Sequence, residues 1–425
     1  MTRSRIATGA GAGWLLLLAG CDAGAPSLEA GLQVRDSAGI EIVESSGTVW
    51  AEAPGWRIGE EPLLQIGAGA EGDPELQFAR IVGAHRLAGG GVAVVDAWAP
   101  VVSFFDAEGR LEGRYARVGP GPGELAEARG GGGISGSFSC GADTVYVVTQ
   151  REIAAYVPPD EYVRTFMLDP PGVVRGCAEG SLLTTRQTTG WRDDPGTWVD
   201  SVEVAWRGLG GETVVAILDT LPGEARTYSL SQSGSTGYSP LLFGPALHVS
   251  VGGGGAVTSF GEAFGYALWG SEGGLERIVR VDERQRPVTA DEVERFRDFV
   301  FNPWRGNEME RENMELRLEE AIGRGRPAFA ALHLAPTGHV WARLHDHLDA
   351  VAFWDLSRFG VHFDAPEPDG PRRWVVFDPE GQLLGEVAMP DRFEVHEVGD
   401  DWILGVWRDA LDVEYVRIYP VVQGG

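Results

Sequence analysis

The feature that most constrains this chain is a repeated pattern of a strand, a tight FDxxG turn, a second strand and a glycine-rich loop. The clearest copy occupies residues 91–125 (GVAVVDAWAPVVSFFDAEGRLEGRYARVGPGPGEL), and residues 373–390 (RWVVFDPEGQLLGEVAMP) repeat its central part. Apolar and polar residues alternate on both sides of each turn, which is typical of half-buried antiparallel strands. Because a four-stranded unit of this kind cannot cover both of its apolar faces alone, neighbouring units must stack.

We therefore predict an all-β fold, a six-bladed β-propeller of four-stranded antiparallel blades over residues 39–425. The sixth unit supplies only three strands, and residues 62–67 are predicted to add the fourth and close the ring. The loop VGPGPGEL at residues 118–125 then joins the outer strand of one blade to the inner strand of the next. The innermost strands are predicted to begin near Ala79, Gly133, Val173, Pro245, Ala328 and Arg392.

One segment, residues 288–323, departs from the β pattern between blades four and five. Thr289 and Glu292 have the spacing of a capping box, and apolar residues follow at helical intervals. We predict two helices here, inserted between the blades and packed on the side or a face of the propeller. The pattern is compatible with a purely structural role and also with docking of a partner.

Composition excludes several functional classes. The net charge of −27 argues against a nucleic-acid partner, because phosphate binding requires clustered cationic side chains. All 35 basic residues are arginine, and the chain contains no lysine. Walker-type phosphate loops, Schiff-base enzymes and Ser–Lys hydrolases all need the lysine ammonium group, so none of these is built here. We interpret the glycine loop as structural.

The N-terminus has the pattern of a processing signal, with a basic start and an apolar stretch too short to span a bilayer. Residues 18–21 (LAGC) resemble the lipobox of bacterial lipoproteins. The resemblance implies removal of residues 1–20, lipidation of Cys21 and residues 21–38 as a tether. The chain would then be anchored to a membrane of the bacterial cell envelope, facing the periplasm or the exterior. An ordinary secretory peptide with a chance cysteine is the alternative.

Two further cysteines, Cys140 and Cys177, remain in the exported part of the chain. In the predicted register they end the inner strands of adjacent blades two and three, at matching heights. We predict a disulfide between them, because an exported protein folds in an oxidising compartment. Two buried free thiols are the alternative.

The motifs together resemble a known family. The succession strand–FDxxG–strand–GxGxGE is similar to that of NHL-type six-bladed β-propellers. Residues 34–45 (VRDSAGIEIVES), 117–125 (RVGPGPGEL) and 326–343 (RPAFAALHLAPTGHVWAR) resemble bacterial lipoproteins described as six-bladed β-propeller proteins. The resemblance covers essentially the whole mature chain and implies the fold, but this family carries no common activity that transfers.

Candidate ligand-binding residues come from the loops between the second and third strands of the blades. Two of these loops, residues 188–200 and 344–372, are longer than a turn requires and are rich in Trp, Arg and Asp. Long loops on a rigid scaffold commonly carry function, and Trp and Arg are the usual anchors of binding sites. Lids that bury their own tryptophans are the alternative. The predicted ligand-binding residues are Trp98, Trp191, Arg192, Trp198, Trp354 and Arg408.

A divalent metal is a secondary hypothesis. His345 and His347 stand in the sequence HDHLD, and two imidazoles on one side of an extended segment suit zinc or iron. No third histidine lies close by in sequence. Otherwise no cofactor is predicted.

Two functional hypotheses follow. The first is a non-catalytic, monomeric envelope propeller that binds a protein, peptide or glycan on its loop-rich face. The second is a propeller hydrolase or lyase with a metal or carboxylate site at the central channel, which requires convergent acidic or histidine side chains from several blades. No GxSxG elbow is present, and the surroundings of Ser135 and Ser137 have the pattern of a strand. Binding is the favoured interpretation.

Covalent anchoring at Cys21 is testable. The wild-type chain, expressed in a bacterium, should fractionate with membranes and show a mass raised by acyl chains, because several chains on one cysteine anchor a protein firmly. The Cys21→Ser variant should lose both properties. A wild-type chain that is soluble and unmodified by intact mass would contradict the prediction.

Overall fold

Each repeat of the sequence forms an antiparallel sheet, and six such sheets surround a common centre in this computed structural model. The structure describes residues 31–424 apart from 52–54, 70–71, 117, 120, 122, 126–132, 142, 150–151, 190–195, 231–235, 283–284, 302–307 and 351–370. The predicted signal peptide and Cys21 lie outside this range. No helix among the described residues is long and apolar enough to cross a membrane.

The first four strands precede blade one and are β1 (Gly31–Ser37), β2 (Ile40–Ser46), β3 (Arg57–Ile58) and β4 (Leu64–Ile66). Blade one contains β5 (Ile81–Arg86), β6 (Val92–Asp96), β7 (Val101–Phe105) and β8 (Leu111–Tyr115). Blade two contains β9 (Ile134–Cys140), β10 (Thr144–Thr149), β11 (Ile153–Val157) and β12 (Glu161–Phe166). Blade three contains β13 (Val173–Ala178), β14 (Ser181–Gln187), β15 (Thr197–Gly208), β16 (Val214–Leu230) and β17 (Thr236–Pro240).

Blade four contains β18 (His248–Gly252), β19 (Gly255–Ser259), β20 (Gly265–Gly270) and β21 (Leu275–Val281). The helices α1 (Ala290–Phe301) and α2 (Glu308–Ala321) follow. Blade five contains β22 (Phe329–Leu334), β23 (Val340–Leu344), β24 (Arg373–Phe377) and β25 (Leu383–Ala388). Blade six contains β26 (Phe393–Val398), β27 (Trp402–Arg408) and β28 (Glu414–Val422). The predicted six-bladed propeller, with helices inserted between blades four and five, is confirmed.

The ring is closed by the N-terminal part of the chain. In blade six β28 pairs antiparallel with β4, placing Val416 opposite Ile66 and Ile418 opposite Leu64. Further along, β28 also pairs with β3. Strand β4 lies within residues 62–67, the segment for which the sequence pattern predicts this pairing.

The predicted tether needs a correction, because its second half is a strand. Residues 31–37 form β1, which pairs with β2 in a tight hairpin. The hairpin turns at Ala38 and Gly39, where φ is 57° and 85°, the pair of positive values that a two-residue type I′ turn requires. Strand β2 then runs parallel to β21, the outer strand of blade four, and covers its edge. Residues 34–45 (VRDSAGIEIVES) are therefore part of a sheet.

Blade three also differs from the prediction. The segment 188–200 was expected to be a loop, but β15 begins at Thr197, so Trp198 is a half-buried strand residue. Strand β16 continues to Leu230, beyond the length of an ordinary blade strand, and its last residues pair with β17. The continued pairing of β15 and β16 gives backbone groups of the segment their hydrogen bonds, which a free loop would leave to water.

The core lies between the blades. Strands β6 and β7 are buried at every residue, because each blade is covered by a neighbour on both faces. Between blades one and two, for example, Val95 and Phe104 pack with Tyr156. The strands at blade centres are therefore apolar on both faces, whereas the sequence pattern alone indicated half-buried strands.

The helical insertion packs on the face that carries the loops between second and third strands. We call this the upper face, and the opposite face, with the turns between first and second strands, the lower face. Thr289 and Glu292 form the predicted capping box, with the Glu292 carboxylate accepting from the Thr289 N–H at 2.9 Å. The apolar side of the helices, with Phe296 and Leu318, covers Phe243 in the loop before blade four and Ala350 beyond β23.

The predicted disulfide is present. Cys140 ends β9 and Cys177 is near the end of β13, with their Cα atoms 5.4 Å apart. The bond joins blades two and three beside the channel, close to the lower face.

Ring closure is testable by truncation. A chain starting at residue 47 loses β1 and β2 but keeps β4, so the ring should still close. A chain starting at residue 68 loses β4 and exposes the edge of β28, so it should melt at a lower temperature and aggregate. Thermal melting and size-exclusion chromatography distinguish the two. Equal behaviour of both truncated chains would show that closure through β4 does not stabilise the ring.

Candidate functional site

The inner strands β5, β9, β13, β18, β22 and β26 lie side by side around a central channel. Each of them contributes a polar side chain, in contrast to the apolar side chains that pack between the blades. These side chains are His85, Ser137, Arg175, His248, His333 and His396. Convergence of polar groups from all six blades, five of them ionisable, makes the channel and its upper mouth the candidate functional site.

In the lower half of the channel, His85 connects three blades. Its Nδ1 lies 2.9 Å from Oε1 of Glu397 on β26, and its Nε2 lies 2.8 Å from Oγ of Ser137 on β9. The second carboxylate oxygen of Glu397 accepts a hydrogen bond from the Arg86 N–H at 3.0 Å. Blades six, one and two are thus linked by a continuous chain of hydrogen bonds.

His396 and His333 are the neighbouring imidazoles. The Ala84 N–H donates to Nδ1 of His396 at 3.1 Å, so the proton of neutral His396 is on Nε2. Burial, reinforced by the positive charge that nearby His85 and Arg408 can carry, lowers the pKa of His396. Burial likewise lowers the pKa of His333 to about 4. Both rings are therefore neutral at physiological pH.

At the upper mouth, the segment HDHLD forms a 3₁₀ turn held by arginines. Arg343 of β23 binds Asp349 through two hydrogen bonds of 2.8 and 2.9 Å, and Arg372 donates to Asp346 at 2.9 Å. Burial acts to raise the pKa of Asp349, but Arg343, with His345 and Arg372, outweighs it and lowers the pKa to about 2. The carboxylates of Asp346 and Asp349 therefore both form ion pairs within the fold.

Arg408 makes a second ion-pair network at the mouth. It donates to Glu414 at 2.8 Å and to Glu394 at 3.3 Å, and Glu414 also accepts from the Ile81 N–H at the start of blade one. Burial acts to raise the pKa of Glu394, but His396 and Arg408 outweigh it and hold the pKa below its ordinary value.

Arg175 differs from the other channel arginines. Its Nε donates to the Thr185 hydroxyl at 2.9 Å, and no carboxylate pairs with it among the residues that the structure describes. The side chain is open to solvent although it stands on an inner strand. Surrounding protein nevertheless desolvates the guanidinium and lowers its pKa, with no opposing charge to restore it. A charge in this condition favours an anion.

His345 and His248 lie beside the Arg343 network. Burial lowers the pKa of His248 to about 4 and also lowers that of His345. His345 is 5% exposed, and neither of its ring nitrogens has a hydrogen-bond partner within the described part of the chain. Over the same residues, no cluster of three or more His, Cys, Asp or Glu side chains is placed to hold a metal ion. The metal hypothesis for His345 and His347 therefore stays a prediction from sequence.

The predicted ligand-binding residues have different surroundings. Trp98 is 73% exposed on the upper face of blade one. Its backbone N–H donates to Oδ1 of Asp96 at 2.7 Å. Arg408 belongs to the mouth of the channel, within the ion-pair network, and Trp198 stands in β15. Trp191, Arg192 and Trp354 lie outside the described residues.

The channel side chains were not among those predicted from sequence, with the exception of Arg408 and the pair His345 and His347. A signal for them exists: the inner-strand segments AHR, LHL and VHE place histidine where a buried strand would carry an apolar residue. Polar residues in otherwise apolar inner strands indicate a polar channel.

Comparison with known proteins supports the fold. No protein-family model and no curated protein sequence matches the chain. Among solved structures, a Bacteroides vulgatus member of the duf4221 family is similar at 11% identity and a TM-score of 0.50, covering 88% of this chain and 100% of its own. An exported protein of Bacteroides fragilis, as it is described, is similar at 9% identity and a TM-score of 0.44, covering 90% and 100%.

BamB of Moraxella catarrhalis is similar at 12% identity and a TM-score of 0.25, covering 78% of this chain and 70% of its own. At 11% identity the likeness to the duf4221 structure concerns the fold alone, and no argument rests on the other two. The function must be argued from the residues of the channel.

The neutral imidazoles predict a pH dependence of stability. Below pH 7 the unfolded chain takes up protons at the ordinary histidine pKa of about 6.5, whereas folded His248 and His333 resist protonation until about pH 4. The free energy of unfolding should therefore fall as the pH falls from 6.5 to 4, by up to about 1.4 kcal/mol per pH unit for each such imidazole.

Urea unfolding at several pH values measures this slope. The His333→Gln variant removes one of the contributing groups and should show a shallower slope than the wild type. A wild-type protein whose stability is constant or rises between pH 6.5 and 4 would contradict the assignment of neutral channel histidines.

Proposed function

We propose that the protein is a bacterial envelope β-propeller, held to a membrane by lipid on Cys21, that binds a small anionic ligand at the upper mouth of its channel. The observation that carries the proposal is the solvent-open but desolvated guanidinium of Arg175, which has no carboxylate partner among the described residues. Ligands of this class are small molecules, glycans or peptide ends that bear a carboxylate or phosphate group.

The position of Arg175 supports binding in the channel. It is the third residue of its inner strand, so the side chain stands in the upper half of the channel. Its Nε is fixed by Thr185, which is itself buried. Within the described part of the chain its two terminal nitrogens have no hydrogen-bond partner, so they can bind two oxygens of a ligand. A held guanidinium loses less entropy when it binds a planar oxyanion.

The other two arginines at the mouth, Arg343 and Arg408, leave Arg175 as the favoured site for an anion. Arg343 and Arg408 are each neutralised by acidic partners, so they add little net charge at the mouth. In a chain with a net charge of −27, a locally unneutralised arginine is the place where an anion meets least repulsion. The exposed ring of Trp98 on the same face offers an apolar contact for the rest of a ligand.

Binding of simple anions tests the proposal. The full-length protein in detergent is titrated calorimetrically with citrate, galacturonate and inorganic phosphate, with glucose as an uncharged comparison. At least one anion should bind, and Arg175→Gln should weaken its binding about ten- to a hundredfold, because a charge-assisted hydrogen bond is lost.

Arg110→Gln is the matched control. Arg110 is a solvent-exposed arginine directly after the FDAEG turn between the two outer strands of blade one, and it pairs with Asp106 and Glu108. Its replacement should leave binding unchanged. Equal anion affinity in Arg175→Gln and the wild type, or binding of glucose alone, would contradict the proposal.

A further inference from the structure

Ser137, His85 and Glu397 have the geometry of a hydroxyl–imidazole–carboxylate relay. An ionised carboxylate only accepts hydrogen bonds, so the 2.9 Å contact with Glu397 places a proton on Nδ1 of His85. In the neutral ring Nε2 is then an acceptor. With His85 in this neutral tautomer, the Ser137 hydroxyl donates its proton to Nε2 across the 2.8 Å contact, as an activated serine does.

The carboxylate is fixed in the orientation that this tautomer needs. Oε1 of Glu397 faces His85, while Oε2 accepts from the Arg86 N–H at 3.0 Å. Two oxygens held by two donors leave the carboxylate little freedom to rotate. Glu397 is thus a positioning residue for the imidazole.

Gly83 makes the close contact between Ser137 and His85 possible. A Cβ atom at position 83 would lie 1.7 Å from Oγ of Ser137 and 2.8 Å from Nε2 of His85. Any side chain there would separate the two groups. A glycine on a buried inner strand costs backbone entropy, and here it provides the space that the relay occupies.

Ser137 is accessible to solvent, and a hydrogen-bond donor lies on the inner strand of blade six. Ser137 is partly exposed, and it lies on an inner strand beside the channel. His396, on the same strand as Glu397, carries its remaining proton on Nε2 because Nδ1 accepts from Ala84. That N–H has no partner among the described residues, and a donor of this kind can stabilise a developing oxyanion.

We propose that Ser137 is the nucleophile and His85 the general base of a hydrolytic site in the lower half of the channel, acting on a small carboxylic ester. This activity goes beyond ligand binding at Arg175, and it does not depend on that residue.

The proposed steps are those of acyl transfer. Oγ of Ser137 attacks the ester carbonyl while its proton passes to Nε2 of His85, and the carbonyl oxygen becomes an oxyanion. The ester C–O bond then breaks, the alcohol leaves with the proton from His85, and an acyl-Ser137 remains. Water, deprotonated by His85, releases the acyl group as a carboxylic acid and restores Ser137.

A fluorophosphonate probe tests whether the serine is activated. The full-length protein is treated with the probe, and the modified residue is located by peptide mass spectrometry. We expect one adduct per chain at Ser137, together with slow hydrolysis of p-nitrophenyl acetate. Both should disappear in Ser137→Ala and persist in Ser135→Ala, a control on the same strand whose hydroxyl donates to the Val148 carbonyl.

Further variants separate catalysis from folding. His85→Gln should lower the labelling rate at least about a hundredfold, as expected for loss of a general base. Gly83→Ala keeps every reacting group but separates Ser137 from His85, so it should also abolish labelling. Glu397→Gln should lower kcat with KM unchanged, and Glu397→Asp should recover part of the loss. Thermal melting of each variant identifies any that are unfolded.

Folded wild-type protein with no adduct at Ser137 would overturn the proposal. Ser137, His85 and Glu397 would then have only the structural role of connecting blades two, one and six. Equal labelling of His85→Gln and the wild type would also overturn it. Arg175→Gln should retain labelling, so failure of the hydrolytic site and failure of the anion site are distinguishable.

Discussion

The structure depends on the pairing of β28 with β4, because blades cover one another only in a closed ring. Each blade has two apolar faces, and an open row of six would leave one face at each end in water. Pairing Val416 with Ile66 makes the last blade complete and joins it to the chain that leads into blade one. Closure also brings β26 beside β5, which is the contact that places Glu397 and His396 against His85 and Ala84.

The channel chemistry follows from this closure. Inner strands of different blades do not share a ladder of hydrogen bonds, so their facing edges must be satisfied by side chains. His396, Glu397 and Glu414 do this by accepting the N–H groups of Ala84, Arg86 and Ile81. Burial in the same channel lowers the pKa of His248, His333 and His396 and also lowers the pKa of Arg175. Polar groups that tie the ring together are thereby held in fixed orientations, which is what binding and catalysis require.

The blades, the approximate starts of the inner strands, the capping box at Thr289 and the disulfide could be predicted from the sequence, because each depends on a local period or on matched positions in a repeat. The channel site could not be predicted in this way. Ser137 is 52 residues from His85, and Glu397 is 312 residues from it. Their meeting depends on the relative height of adjacent blades, and register shifts within β5 and β26 alter that height without leaving a mark in the hydrophobic pattern. Strand β1 was missed for a different reason, because its side chains are mostly exposed and resemble those of a polar tether.

The channel holds a preformed set of imidazoles with defined hydrogen-bond partners, of which His248 and His333 stay neutral down to about pH 4. Long-range ¹H–¹⁵N NMR of the histidine rings tests this claim most directly, since the chain has only 8 histidines to assign. At pH 5.5 we expect His248 and His333 to be neutral. At pH 7.5 we expect His396 to be neutral with its proton on Nε2, because its Nδ1 accepts from the Ala84 N–H. Imidazolium signals for His248 and His333 at pH 5.5, or a His396 proton on Nδ1 at pH 7.5, in folded protein, would contradict the account.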